Sequence, residues 1–288
     1  MNLGLGSYEL TLLTTVGISV TLALSLNLIT GFCGQISLGH AAFYGAGAYC
    51  AAMLTKAGVP FAAALLAGGA LAGAIGLLVG LASLRVRHDF LAITTMGVGF
   101  LFVGVVRQQD ALGGELGISG IPSSGLGKAG LAWLALGIAL AVAAFSAHVK
   151  RSWMGFAFDS IADDEDTARV VGIDVARYKL HAFAFGTALA GVAGGLYAHQ
   201  VRFIGPDSFG FVESITVLSM VVVGGIGSVP GVIVAATVLT LLPQWFQFVE
   251  SYKLLLYGGL LFAMMRFSPD GLAGMGRGAI RLLGGRGS

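Results

Sequence analysis

ELTLLTTVGISVTLALSLNLITGFCGQISLGHAAFYGAGAYCAAMLTK (9–56) contains no charged residue between Glu9 and Lys56. About 20 mainly apolar residues suffice to cross a bilayer core as helix, so this run is long enough for two passes. Charge is also missing between Lys56 and Arg85 and between Lys128 and Lys150. A membrane β-barrel would instead alternate apolar and polar residues in segments of about 10, and these runs do not alternate. The reading is an all-α, polytopic transmembrane helical bundle, one transmembrane domain over 1–288.

Composition agrees. Apolar residues make up 56% of the chain and charged residues 10%, against roughly 25% charged in soluble domains; mean hydropathy is +0.89. A formal charge of +2 with no basic run gives no reason to expect nucleic acid. Cys33 and Cys50 lie in apolar segments without C-x-x-C spacing, so neither a disulfide framework nor a metal site is indicated. The opening MNLGLGSYEL has no basic n-region, and no cleaved signal peptide is expected.

Nine spans are expected, at about 10–30, 36–55, 60–83, 89–106, 130–149, 178–199, 212–225, 231–248 and 253–267. Lys and Arg in short loops favour the cytoplasm. With the 150–179 segment inside, that side collects Arg85, Arg87, Lys150, Arg151, Arg169, Arg177, Lys179, Arg266, Arg277, Arg281 and Arg286. The other side collects Lys56, Arg107, Lys128, Arg202 and Lys253. The bias puts the N-terminus outside and the C-terminus inside, provided that 31–39 is a turn and not a re-entrant loop. Gly69, Gly73, Gly76 and Gly80 include two G-x-x-x-G spacings, and Gly191 with Gly195 gives another. Small residues so spaced let helix backbones approach in lipid, and packing is their expected role.

Three stretches depart from plain spans. In TGFCGQISLGH (30–40), three glycines stand with Gln35, Ser37 and His40 between apolar runs. An ordinary tight turn, with His40 a packing residue, is one reading. The other is an interrupted helix along a passage, since non-helical backbone at membrane depth needs protein or a wet cavity to satisfy it. The polar content favours the second, making Gly34, Gln35, Ser37, Gly39 and His40 candidates to line or gate a pathway.

The second stretch, Lys150–Lys179, is the long hydrophilic segment of the inner side. Ser160 and Asp163 have the spacing of a capping box. Asp163, Asp164, Glu165 and Asp166 would then occupy the first turns, where the helix dipole favours negative charge. Arg169 follows, and Gly172 is placed at C′ to end the helix. Ile161, Ala168 and Val171 can share an apolar face, and Asp174 can cap the next span. Such a capped helix is either a docking element for a partner's groove or a solvated connector. The third stretch, GGIGSVPG (224–231), ends one span and starts another. Gly224, Gly225, Gly227, Pro230 and Gly231 fit a simple turn or a hinge equally well.

No G-x-x-x-x-G-K-[ST] loop is present, so ATP is not expected to bind this chain through a Walker A site. Neither H-E-x-x-H nor a nucleophile elbow appears, and enzymatic catalysis is not indicated. Asp89, Glu213 and Glu250 fall near span ends. Coupled carriers often keep a midplane carboxylate, so the pattern leans toward energy from another subunit.

GFCGQISLGHAAFYGAGAY (31–49), LRVRHDFLAITT (84–95), ADDEDTARVVGIDVARYKLHAFAFGTALAGVAGGLYAH (162–199), GPDSFGF (205–211) with SITVLSMVVVGGIGSVPG (214–231), and YGGLLFAMMRFSPDGL (257–272) together resemble the LivM-type permeases of branched-chain amino-acid ABC transporters. The resemblance runs from about residue 20 to 272. It implies a multi-pass protein of the bacterial inner membrane, set in lipid and paired with a sister permease. Two cytoplasmic ATPases holding ATP and Mg, and an external solute-binding protein, complete the implied importer. No cofactor is implied on this chain. The resemblance further implies a coupling helix at 160–172 (Ser160, Ile161, Asp163, Asp164, Glu165, Asp166, Ala168, Arg169, Gly172) and alternating access. Loop 107–129 and the turn Gly205-Pro206-Asp207 are then candidates to meet the binding protein. The chain departs from the family at Ala162, often basic there, and at Thr167 and Ala168, often two alanines, so charge contacts to the ATPase are expected to differ. Rival readings are the same architecture carrying urea, amides or other amino acids, a stand-alone channel or secondary carrier, and a structural scaffold.

Overall fold

The computed structural model describes residues 6–83, 88–245, 252–267, 271, 272 and 274. Arg85, Arg87, Glu250, Arg277, Arg281 and Arg286 lie outside them, as does the side chain of Asp89. The described helices are α1 (Ser7–Leu26), continued by a π-turn (Asn27–Phe32), α2 (His40–Lys56), α3 (Phe61–Ser83), α4 (His88–Gln108) and α5 (Gly127–Arg151). They continue with α6 (Trp153–Asp163), α7 (Glu165–Val170), α8 (Val175–Val201), α9 (Phe211–Gly224), α10 (Val229–Trp245) and α11 (Lys253–Phe267). Each segment expected to be a span holds one of these helices.

Among the described residues, six helical stretches are long and apolar enough to cross a bilayer: 7–32, 61–82, 91–108, 127–151, 175–201 and 206–224. The helices at 229–245 and 255–266 are apolar but shorter. Their outward faces are greasy: Leu66 is 71% exposed, Leu140 73% and Phe262 74%. Spread over several helices, such side chains suit hydrocarbon and not water.

The middle of the bundle is α8, packed against α1, α2 and α3. Glycine makes this possible. A β-carbon on Gly191 would lie 2.7 Å from the Gly68 carbonyl oxygen and 3.1 Å from the Gly69 Cα, and one on Gly195 would meet Leu65 at 2.7 Å. The spaced glycines of α3 and α8 are therefore a packing seam, as their spacing predicts. Buried hydroxyls mostly bond one turn back: Thr21 donates to the Gly17 carbonyl at 2.8 Å and Ser219 to that of Ile215 at 2.8 Å.

Described cations sort to two ends. At one, Lys128 donates to Ser7 (2.6 Å), Lys56 to the Ser119 carbonyl (3.1 Å) and Arg202 to the Ile121 carbonyl (3.2 Å). At the other, Lys150 donates to the Gly227 carbonyl, and Lys179 pairs with Glu165. Ser7 and Lys56 share an end, so the chain crosses the bundle and returns over 7–56, with 31–39 as the turn.

Candidate functional site

The turn is where helical order fails. After the π-turn, residues 33–39 are non-helical, and Gly34 takes φ +69°, a left-handed conformation that glycine adopts without strain. Freed backbone groups find partners elsewhere in the protein. Gln35 N–H donates to the Ile29 carbonyl (3.1 Å), Leu38 N–H to Thr95 Oγ1 (3.0 Å) and Ala41 N–H to Ser214 Oγ (3.1 Å). Thr30 Oγ1 donates to the Gln35 carbonyl at 2.9 Å. This is unwound backbone held inside protein, as a bilayer requires.

The polar side chains of the break are packed, not open. Gln35 is 1% exposed and Ser37 and His40 are fully buried, whereas Ile36 is half exposed. His40 Nε2 meets Ser25 Oγ at 2.8 Å. Gln35 Oε1, Ser37 Oγ and His40 Nδ1 are buried with no hydrogen-bond partner. Each such atom carries a penalty of about 1–3 kcal/mol, so this conformation keeps polar groups that another arrangement could satisfy. Gly39 backs directly onto the Thr95 backbone, leaving no room for a side chain.

Asn27, which the sequence reading passed over, ties the break to the glycine turn at 225–228. Its Oδ1 accepts from Gly227 N–H at 3.0 Å. Gly225 (φ +101°) and Gly227 (φ +76°) need the conformations they hold, and Gly231 abuts the Gly224 carbonyl. Pro230 occupies the first turn of α10, where its missing N–H matters least.

The hydrophilic connector is two helices, not one capped at Ser160. Ser160 lies inside α6, its hydroxyl donating to the Phe156 carbonyl (2.9 Å), and Asp163 is the last residue of α6. The cap is Asp164: its φ of −161° breaks the helix, and Oδ1 accepts from Thr167 N–H at 2.6 Å. Those bonds hold the exposed Asp164 carboxyl below the usual carboxylate range. The capping-box spacing misled because aromatic and apolar residues from Trp153 onward extend α6 upstream of Ser160. Gly172 (φ +88°) does end α7 at C′: its N–H reaches the Arg169 carbonyl and that of Ile173 reaches Ala168, both at 3.0 Å. Asp174 caps α8 through Arg177 N–H at 3.1 Å. Ile161 and Ala168 are buried as expected, but Val171 is 68% exposed, because the helix ends at Val170 and turns it outward.

This connector touches the break. A β-carbon on Gly34 would sit 3.1 Å from the Ala162 Cα. Lys150 lies 5.6 Å over the Phe32 ring while donating to the Gly227 carbonyl. Break, glycine turn and connector thus meet at one end of the bundle. Arg169 pairs with Asp166 (2.7 Å) and Glu165 (3.3 Å), so part of the acidic run is engaged within α7.

The family described as "Branched-chain amino acid transport system / permease component" matches residues 8–265. The chain belongs to this family. It is 34% identical to the LivM permease protein of the Escherichia coli high-affinity branched-chain amino acid transport system, over 97% of this chain and 73% of that one. A probable LivM permease of Methanocaldococcus jannaschii is 25% identical over 70% of this chain and 66% of its own. The E. coli LivH permease is 31% identical over 47% of this chain and 44% of its own. No solved structure matches significantly. The chain is a transport permease subunit, and a multi-pass protein of the inner membrane.

At the permease's other end, the segments expected to meet a binding protein come together. Ile118–Ser119 pairs antiparallel with Phe203–Ile204, and Arg107 bonds Asp207 at 2.6 Å. Arg202 takes φ +61°, which lets the chain leave α8 into that ribbon.

Proposed function

We propose that this permease moves branched-chain amino acids across the inner membrane by alternating access, driven by separate ATPases. It would do so with nine spans in one domain, the short α2, α10 and α11 crossing with the six longer stretches. α6 and α7 dock into an ATPase groove through Ser160, Ile161, Asp163–Asp166, Ala168, Arg169 and Gly172. A sister permease completes the passage, two ATPases bind ATP and Mg, and a solute-binding protein docks on the ribbon and the Pro206–Phe209 turn. The chain itself is neither an ATPase nor a holder of cofactors.

One observation carries the coupling: α6 packs at Ala162 onto Gly34 of the broken segment. Movement of α6–α7 therefore reaches Gln35, Ser37, Gly39 and His40, which gate the passage, without crossing flexible chain. The Gly224–Gly231 turn, tied to the same end by Asn27 and Lys150, is the hinge. Proteoliposomes holding the permease with ATPases, a sister permease and a binding protein from the same organism should accumulate leucine only with ATP. Leucine flux without ATP would establish a stand-alone carrier instead. Uptake of urea but not leucine would overturn the cargo.

A further inference from the structure

A cavity of about 280 Å³ opens where α1, α5 and α8 meet, at the end that holds Lys128. Small-molecule pockets span roughly 300–1,000 Å³, so there is room for a headgroup and not for a whole lipid. Its lining carries two cations, Lys128 at the start of α5 and Arg202 at the end of α8, and no Asp or Glu. Among the described residues no acid neutralises either one. Lys128 donates to the Ser7 hydroxyl, and Arg202, through Nε, to the Ile121 carbonyl. Both partners are neutral oxygens. An ammonium has three donors and a guanidinium five, so Lys128 keeps two and Arg202 keeps both Nη groups.

Ser123 and Ser124 line the same space. The first turn of α5 holds no acid, and its N-cap Leu126 offers no side-chain bond, so the N–H groups there add to the positive charge. His199 and Gln200 are already engaged, the first at both ring nitrogens and the second at the Thr11 carbonyl and Thr15 hydroxyl. Two cations with donors to spare and no acid between them suit a phosphate, whose oxygens take an Arg fork and an ammonium together.

The setting identifies where that phosphate comes from. Ser7 begins α1 and Gly127 begins α5, both long and apolar enough to cross a bilayer, so the cavity lies at the boundary between hydrocarbon and water. Tyr8 and Trp133, on the same two helices, are exposed, and these are residue types that settle at headgroup level. From Trp133 the outward face of α5 continues two turns on to exposed Leu140, an apolar track for an acyl chain. Basic pockets between membrane helices bind anionic headgroups. A phosphate carried on acyl chains uses both the cations and this track; a free phosphate uses only the cations.

We infer that this cavity holds the phosphate of an anionic phospholipid, with Lys128 and Arg202 as its cationic contacts and the Trp133–Leu140 face of α5 beside its acyl chains. The lipid ties the starts of α1 and α5 to the end of α8, whichever solute the permease carries.

The test titrates dioleoyl phosphatidylglycerol into the purified, delipidated complete transporter and reads bound lipid by native mass spectrometry. Lys128→Gln still reaches Ser7 without the charge, and Arg202→Asn places a residue that enters the left-handed region readily. Losing a hydrogen bond to a charged group raises the half-saturating lipid concentration by about tenfold or more in each. Lys56→Gln, at a cation of the same end outside the cavity, leaves it unchanged, and dioleoylglycerol, which lacks the phosphate, does not compete. Should Arg202→Asn fail to assemble, Lys128→Gln decides alone. Wild-type lipid affinity in the variants that assemble overturns the inference. Inorganic phosphate that competes as well as the lipid, beyond chloride at equal ionic strength, overturns the lipid as the occupant and supports the phosphate site. Variants that keep the lipid but lose the solute-binding protein assign the two cations to that partner and overturn the inference.

Discussion

Gly34→Ala tests the contact between connector and break. The residue holds φ +69°, and a left-handed conformation costs an L-residue roughly 1–2 kcal/mol. The new methyl would also stand 3.1 Å from the Ala162 Cα and 3.2 Å from its Cβ, tighter than ordinary van der Waals contact, so α6 or the break must give by a few tenths of an ångström. A penalty of about 1–2 kcal/mol lowers the population of the packed arrangement by a factor of about 5–30. Leucine accumulated per ATP hydrolysed should fall by a similar factor while the ATPases keep turning over, because the docking face proposed on α7 is untouched. Ala162→Gly in the same chain removes the 3.2 Å contact but not the backbone cost, and should restore only part of the loss. Both quantities are read in one proteoliposome assay, with a malachite-green phosphate measurement beside the leucine uptake. Wild-type stoichiometry in Gly34→Ala would refute the mechanical link.

Lys150→Met removes the bond to the Gly227 carbonyl and the charge over Phe32; uptake should fall several-fold, and hydrogen exchange at Gly227 should rise. Gly191→Leu drives a branched side chain into the α3–α8 seam, where even a methyl sits 2.7 Å from a backbone carbonyl; overpacking costs about 1–3 kcal/mol or more, and loss of folded protein from the membrane is expected on a fluorescence size-exclusion trace. The Lys179–Glu165 pair is largely buried, the side chains being 10% and 16% exposed. Glu165→Gln alone should lower the melting temperature by leaving Lys179 charged and buried, and adding Lys179→Met should recover most of it, because a stranded charge costs more than an absent pair. At Asp164 the folded carboxyl titrates below its unfolded value. Its stabilisation of α7 is therefore fully present above the unfolded value and lost as pH falls through the folded one. Asp164→Ala should speed hydrogen exchange in 165–170 at pH 7 and make no difference once pH is below the folded value.

Helices were readable where apolar runs were long and bounded by charge, as at 127–151. Gly172 and Asp174 were readable because each acts on its own neighbours: a positive φ at a helix end and a side chain bonding three residues on. Ser160 shows the limit of that local logic. Its spacing to Asp163 fits a cap, yet Ile161 and Phe158 pack inward and hold that stretch as the end of a longer helix. What the sequence could not announce were partners far away along the chain. Asn27 meets Gly227 across 200 residues and Ala41 meets Ser214 across 173. The signal available was Asn27 itself, an amide in an apolar run. Nor was it readable that α9 begins inside the bundle, after buried Pro206 and Phe209 and with Ser214 against Ala41.

That last point follows from helix lengths. α2 has 17 residues and α9 has 14, about 25 Å and 21 Å at 1.5 Å per residue, each short of a core about 30 Å thick. They begin beside one another, Ala41 N–H on Ser214 Oγ and Tyr44 against Phe209. From there α2 runs to the end where Lys56 meets Ser119, and α9 runs to the other, where Gly227 meets Lys150. Two short α-helices starting at one interior point are preceded by chain that is not α-helical, the break at 33–39 toward one end and the 3₁₀ turn Pro206–Phe209 toward the other. Bare backbone is not tolerated in lipid; the first segment is satisfied by Thr95 and the Ile29 carbonyl, the second by bonds within its own turn. In the proposed mechanism a movement of α6 against Gly34 would act on the first unwound segment, and a partner on the ribbon on the second. Both proposed inputs would then converge where α2 and α9 start, at the Ala41–Ser214 bond and the Tyr44–Phe209 contact.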